Sequence, residues 1–162
     1  MLDSAIIGLT GAAGSGKDTV ADYLVSRHGF TKLALASGLK AMLAAIGIHE
    51  PSRDKKELAL SGFKFSYRHA AQTLGTEWGR KLDGDLWVSI LQRRIHSLQW
   101  AGVKRFVISD VRFENEATML RSTPNSLILH VVGRAAALDG AAKAHVSERG
   151  VQPLGPDYSL DN

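Results

Sequence analysis

Apolar residues along this chain come in short blocks whose internal spacing switches between two periods. Ala5-Ile6-Ile7-Gly8-Leu9 is a continuous apolar run ending at a glycine-rich turn, the pattern of a strand buried on both faces. Asp18 to Arg27 carries Val20, Tyr23 and Leu24 at helical spacing, and Phe30–Ala36 predicts a second strand. Gly38–Ile46 predicts a helix, and Pro51-Ser52-Arg53 punctuates a loop. Tyr67–Trp78 and Leu86–Trp100 predict two amphipathic helices separated by Asp83-Gly84-Asp85. Phe106–Ser109 predicts a third strand, Glu114–Arg121 a short helix, Leu127–Val132 a fourth strand and Tyr158–Leu160 a last one. Strands alternating with helices predict an α/β fold whose parallel sheet is covered on both faces.

From Gly133 the texture changes. Ala135–Ala144 is rich in alanine and Gln152–Pro156 in glycine and proline, so residues 133–156 are expected to form a loop or lid. No internal repeat or linker divides the chain, and a single domain over 1–162 is expected, with a helical region over about 37–100.

Gly11-Ala12-Ala13-Gly14-Ser15-Gly16-Lys17 fits G-x-x-x-x-G-K and lies between a predicted strand and a predicted helix, the context that gives the pattern physical meaning. The glycines let the backbone curl so that successive N–H groups face a phosphate, and the helix N-terminus adds its positive end. Gly14, Ser15, Gly16 and Lys17 are therefore expected to bind ATP, with Lys17 reaching the β- and γ-phosphates during transfer. The residue after the lysine is Asp18 rather than Ser or Thr, and Thr19 follows it. Asp18 and Thr19 are both candidates for the Mg²⁺ site, in part through water, and Asp18 also suits the helix dipole.

Composition narrows the class. The chain has 162 residues, 44% of them hydrophobic and 22% charged, as in a globular protein. It has no cysteine, which excludes disulfides, thiolate nucleophiles and Cys-ligated zinc. No apolar run approaches the ~20 residues that span a bilayer, and the first ten residues lack a signal-peptide pattern, so no membrane partner and a cytoplasmic location are expected. The net charge of +4 is dispersed, with no basic run longer than two residues, which suits small phosphorylated ligands better than nucleic acid. The six histidines show no metal-ligand spacing.

Asp110 is expected near the carboxyl end of the third strand, the sheet edge on which α/β folds bind ligands, to hold Mg²⁺ through water or to bind an acceptor. Arg112, two residues on, suits bidentate capture of the acceptor phosphate, the competing reading being a surface ion pair worth ~0–1 kcal/mol. Ser37 and Lys40 follow the second strand and are candidates for a wall of the acceptor site, against a capping Ser37 and a solvated Lys40. Arg68, Gln72 and Thr76 at i, i+4 and i+8 share a helix face, and Gln and Thr are able to read a base edge. Trp78 and Arg80 are further candidates, Trp78 by stacking, whereas core packing is the expectation for Trp87 and Trp100.

Gly14-Ser15-Gly16-Lys17-Asp18-Thr19 resembles the wording of the phage-type deoxynucleoside monophosphate kinases. The likeness continues at Leu74-Gly75-Thr76-Glu77-Trp78-Gly79-Arg80, at Ser109-Asp110-Val111-Arg112-Phe113-Glu114-Asn115-Glu116-Ala117 and at His145-Val146-Ser147-Glu148. It implies a five-stranded parallel sheet, an acceptor-binding helical region, a lid and transfer from Mg-ATP to a deoxynucleoside monophosphate. It also implies a lid arginine on the ATP phosphates, for which Arg134, just after the fourth strand, is the candidate and Arg149 a weaker one. The family's last strand is normally followed by a helix, so either that helix is absent here or a second copy, as in a homodimer, covers the sheet. Two other readings remain open to the residues alone: a P-loop kinase for a coenzyme precursor or sugar acid, and a non-catalytic nucleotide-binding module.

Overall fold

The computed structural model describes residues 4–133 and 150–161. Five strands form one sheet: β1 (Ala5–Thr10), β2 (Thr31–Leu33), β3 (Arg105–Ile108), β4 (Ser126–Val132) and β5 (Tyr158–Asp161). The spatial order is β2-β3-β1-β4-β5 and every pairing is parallel. The five-stranded parallel α/β architecture expected from the sequence is therefore present. The chain divides into two compact units, one of Met1–Leu35 with Val88–Asn162 and one of Ala36–Trp87.

In the first unit, β1 and β3 are the apolar runs and occupy the sheet centre, where both faces must be covered. Helix α1 (Lys17–His28) covers one face, with Ala21, Val20 and Leu24 packed on Leu9, Val107, Ile7 and Leu129. Helix α6 (Glu114–Arg121) covers the other and buries Ala117 and Leu120. Its approach depends on Gly8, where an added Cβ would run into the Leu120 side chain. Strand β2 is shorter than the predicted Phe30–Ala36. The Leu35 amide donates to Asp110 Oδ1 at 2.7 Å rather than to the ladder, so pairing stops at Leu33.

The edge strand β5 is exposed along its whole length and is held by polar contacts instead of burial. Asp157, whose side chain is only 2% exposed, accepts from Arg121 Nε at 3.2 Å and Nη2 at 2.6 Å. It also accepts from the Leu154 amide at 3.0 Å and from His130 Nε2 at 3.0 Å, which places the imidazole proton on Nε2. Glu114 accepts from the Gln152 amide at 2.6 Å and pairs with Arg121 at 3.2 Å, and Arg121 Nη2 donates to the Gln152 carbonyl at 3.0 Å. The segment before β5 is thus fastened to both ends of α6. Within the residues read as a lid, 134–149 lie outside the described residues, while Val151 is buried and Gln152 to Asp157 are tied down.

In the second unit, α2 (Ser37–Ala45) buries Leu39 and Leu43. Helix α3 (Tyr67–Gln72) is capped by Ser66, whose Oγ accepts from the His69 amide at 3.1 Å. The helix expected over Tyr67–Trp78 is α-helical only to Gln72, then widens into a π-helix over Thr73–Gly79 and returns to α-form in α4 (Arg80–Leu82). Trp87 explains the change. Its indole donates to the Gly75 carbonyl at 2.7 Å, and a Cβ on Gly79 would overlap its ring. A side chain inserted into the ladder is a known cause of such distortion. Trp87 opens α5 (Leu86–Trp100) with its neighbour Leu86, and its burial agrees with the expected packing role; Trp100, also expected in the core, is instead 87% exposed.

The Asp157 network has a pH signature. The Arg121 guanidinium, with the Leu154 and His130 donors, outweighs burial and holds the Asp157 carboxyl far below the usual carboxylate range. A depressed folded-state pKa contributes stability above the ordinary value near ~3.9, lost as pH falls towards the folded value. We predict that Asp157→Asn lowers stability by about 3 kcal/mol near neutrality, and that the gap to wild type narrows below about pH 4. Thermal unfolding of both proteins between pH 7 and 2.5 measures it; a gap that stays constant would mean packing, not charge.

Candidate functional site

Strand β1 ends at Thr10, and the chain turns through Gly11 (φ 139°), Gly14 (φ 83°) and Gly16 (φ 100°) before α1 begins at Lys17. A side chain at Gly11 is excluded twice, by its positive φ and by the Val131 carbonyl and Ser15 Oγ that a Cβ would meet. The loop therefore rests directly on the end of β4. Ser15 is buried, and its amide donates to the Ala12 carbonyl at 3.2 Å. Lys17 Nζ folds back over the loop and donates to the Gly11 and Ala12 carbonyls, both at 2.7 Å. The ammonium is thereby held at the mouth of a backbone cradle of the kind that binds phosphate.

Asp18 and Thr19 stand exposed in the first turn of α1. Asp18 Oδ1 accepts from Lys32 Nζ at 3.0 Å, and Asp22 accepts from the same ammonium at 2.9 Å. Burial alone would lower the Lys32 pKa, but the two carboxylates outweigh it and raise it. Both bridges are largely exposed and worth ~0–1 kcal/mol; their effect is to orient Asp18 towards β2.

Asp110 and Arg112 follow β3, the neighbour of β1, and so lie at the same carboxyl edge of the sheet as the glycine-rich loop. The Val111 amide donates to the Leu9 carbonyl at 3.1 Å and the Ser109 amide to the Leu33 carbonyl at 3.0 Å, which pins this segment between β1 and β2. Asp110 spends one carboxylate oxygen on the Leu35 amide. Glu116 is 3% exposed, and its Oε2 accepts from the Arg112 amide at 2.8 Å and the Phe113 amide at 3.1 Å. A Glu at the third helical position, reaching back to the N-cap, is half of a capping box. That spacing was readable at Phe113-Glu114-Asn115-Glu116, but its importance rests on the burial.

The remaining candidates belong to the second unit. Ala36, not Ser37, is the N-cap of α2, and Ser37 is exposed in the first turn. Lys40 pairs with Glu50 at 2.9 Å, and Lys56 shares that carboxylate. Burial pushes the Glu50 pKa up, but the two ammonium groups prevail and lower it. Arg68 pairs with Glu57, Arg80 Nη1 donates to the Gly84 carbonyl at 3.2 Å, and Trp78 is 44% exposed. Gln72 has a buried amide nitrogen with no partner among the described residues. Arg134, Arg149, His145, Ser147 and Glu148 lie outside the described residues.

The groups read from the sequence as candidates for a cation, the Thr19 hydroxyl and the Asp18 and Asp110 carboxylates, all offer oxygen. Among the described residues no group of three or more His, Cys, Asp or Glu side chains is gathered to bind a metal. A sparse, hard-oxygen set fits Mg²⁺, which keeps several waters and takes most other ligands from substrate phosphates.

Residues 54–162 match the family model for deoxynucleotide monophosphate kinase, which is more than half of the chain. The chain belongs to the deoxynucleotide monophosphate kinase family. A protein of Acanthamoeba polyphaga mimivirus, assigned provisionally as a deoxynucleotide monophosphate kinase, is 30% identical over 145 residues, covering 76% of this chain and 72% of its own. Solved structures share the fold. A protein of Chloroflexus aurantiacus J-10-fl, assigned provisionally as a kinase, aligns with a TM-score of 0.54 at 17% identity, over 98% of this chain and 88% of that one. TT1252 from Thermus thermophilus aligns with a TM-score of 0.53 at 20% identity, again over 98% and 88%. This is a P-loop kinase. Among the described residues no helix is long and apolar enough to cross a membrane.

For this kinase, Lys17→Ala is expected to remove phosphoryl transfer while shifting the melting temperature by only a few degrees, since the ammonium is bonded to carbonyls of its own loop. Steady-state rates and a thermal melt test both parts. Activity within about tenfold of wild type, ~1.4 kcal/mol in the barrier, would overturn the role of Lys17.

Proposed function

We propose that this kinase transfers the γ-phosphoryl group of ATP to a deoxynucleoside monophosphate, giving ADP and the deoxynucleoside diphosphate. The observation that carries this reading is the placement of two unlike phosphate grips on adjacent strand ends. The backbone cradle with Lys17 follows β1, and Arg112 follows β3. The cradle suits a polyphosphate, because several amides and the helix dipole add along its length. A guanidinium suits a terminal phosphate, which it can hold by two parallel bonds.

In the reaction, an oxygen of the acceptor phosphate attacks the γ-phosphorus and the bond to the β–γ bridging oxygen breaks, leaving ADP. The attacking oxygen is already ionised, so no base is needed, and catalysis rests on alignment and charge. Lys17 exchanges its Gly11 and Ala12 carbonyl partners for the β- and γ-oxygens. Arg112 aligns the acceptor phosphate and offsets the repulsion between two anions. Arg134 is proposed to follow the charge of the transferring group from the ATP side. Thr19, with Asp110 and Asp18 through water, would hold Mg²⁺, which when bound neutralises charge on the transferring phosphates. The pairing of Asp18 with Lys32 supports an outer role for that carboxylate. Ser37, Lys40, Arg68 and Arg80 are proposed to attract the acceptor's phosphate, and Gln72 and Trp78 its base. The unpartnered buried amide of Gln72 supports a recognition role, since leaving such a group unsatisfied costs about 1–3 kcal/mol.

The test is a coupled ADP-release assay with Mg-ATP across nucleoside and deoxynucleoside monophosphates, with coenzyme precursors and sugar acids as the competing acceptors. Deoxynucleoside monophosphates are expected to be turned over best, and turnover of a non-nucleotide acceptor in their place would refute the proposal. Arg112→Lys is expected to harm turnover nearly as much as Arg112→Ala, because an ammonium restores charge without the fork. Rescue of most activity by Lys would show that Arg112 supplies charge alone.

A further inference from the structure

We infer that Glu116 is a positioning residue for the acceptor-phosphate grip: by accepting from the backbone amides of Arg112 and Phe113, it fixes where the Arg112 side chain starts. The inference rests on the acceptor role proposed for Arg112 and adds a second residue to it.

Arg112 lies in a connection between β3 and α6 that has no ladder of its own. On its upstream side the backbone is pinned by the Val111 amide on the Leu9 carbonyl at 3.1 Å. On its downstream side both donors, the Arg112 and Phe113 amides, converge on a single atom, Glu116 Oε2, at 2.8 and 3.1 Å. A residue bonded on both sides has little freedom in φ and ψ, and the direction of its Cα–Cβ bond is set by them. A fork that must meet two phosphate oxygens at once is sensitive to that direction, since displacement of about 1 Å at a reacting group costs on the order of 10²-fold.

The burial of Glu116 adds to this. A carboxylate 3% exposed carries a large desolvation penalty, and a capping role alone is filled as well by Ser, Thr, Asp or Asn at the N-cap. Here the N-cap is Phe113, which has no polar side chain, and Glu116 reaches back to accept from its amide. The side chain also springs from the face of α6 that carries Ala117 and Leu120 into the core, so its backbone origin is immobile. Arg112 is thus referred to the sheet through one short rigid chain of contacts.

Both bonds end on one oxygen, and this separates geometry from charge. Glu116→Gln keeps a carbonyl oxygen at the same reach. Glu116→Asp keeps the charge but is one methylene short. With the best deoxynucleoside monophosphate as acceptor, Glu116→Asp and Glu116→Ala are expected to raise the acceptor KM about tenfold or more, with the KM for ATP within about twofold. Glu116→Gln is expected to stay within about threefold of wild type on both. In an Arg112→Ala background, Glu116→Asp should add almost nothing, because the residue it directs is gone.

Three outcomes overturn the inference. If Glu116→Asp is harmless and Glu116→Gln harmful, the carboxylate acts by charge and not by holding the two amides. If Arg112→Ala raises the acceptor KM but Glu116→Asp adds to it in full, Glu116 acts elsewhere while the reading of Arg112 stands. If Arg112→Ala leaves the acceptor KM unchanged, the reading of Arg112 falls and the inference with it. Should Glu116→Ala not fold, the Gln and Asp variants decide the matter between them.

Discussion

The structure depends on how closely the backbone of β1 and its following turn can be approached. Gly8 leaves room for Leu120 of α6 on one face of the sheet, and Gly11 lets the phosphate loop sit on the Val131 carbonyl at the end of β4. An added side chain at Gly8 would displace the Leu120 side chain, and one at Gly11 would meet the backbone of β4 and lift the loop from its seat. Because α6 begins where the Arg112 segment ends, the same close packing that builds the core also sets the distance between the glycine-rich loop and the Arg112 segment. Packing and site geometry are one constraint in this fold, and a small change in β1 would be felt in both.

In each unit the cations proposed to meet phosphate, and Lys32 beside them, are paired beforehand. Lys17 is on loop carbonyls, Lys32 on Asp18 and Asp22, Lys40 on Glu50, Arg68 on Glu57 and Arg80 on the Gly84 carbonyl. Apart from Lys32, these are cations proposed above to bind phosphate. On that proposal a phosphate would not meet bare cations, and its binding would exchange one set of oxygen partners for another. Such exchange keeps the side chains ordered beforehand, which lowers the entropy lost on binding, and it favours ligands with enough oxygens to replace every partner given up.

The sequence was most legible where a feature is local. Apolar runs marked the central strands β1 and β3 most clearly, because a parallel strand buried on both faces cannot carry many polar residues. The span Glu114–Arg121 followed from helical spacing, and the phosphate loop from its glycines. Features that depend on distant partners were not readable. The end of β2 is set by Asp110, seventy-five positions away in the chain from Leu35. The π-helix over Thr73–Gly79 requires knowing that Trp87 lies across it. Asp157 lies just before the predicted strand Tyr158–Leu160, and nothing near it in sequence shows that Arg121 and His130 converge on it. At the site, residue types pointed to candidates, but the orientation of Asp18 towards Lys32 and the burial of Glu116 are facts of three dimensions.

The fastening of α6 by Asp157 has a consequence for the order in which the fold is completed. Arg121 lies 36 residues and His130 27 residues before the carboxylate that both contact. A ribosome adding about 5–20 residues per second leaves them waiting for seconds, long beside the time in which helices and local turns form. During that interval, among the described residues, Glu114 is the partner of the Arg121 guanidinium already made, and full burial of the helix end would be costly. The central strands and α1 can associate early, whereas the final seating of α6, and with it the backbone that carries Arg112, waits for Asp157 to be made. The Arg112 segment is thus expected to settle later than the sheet it rests on.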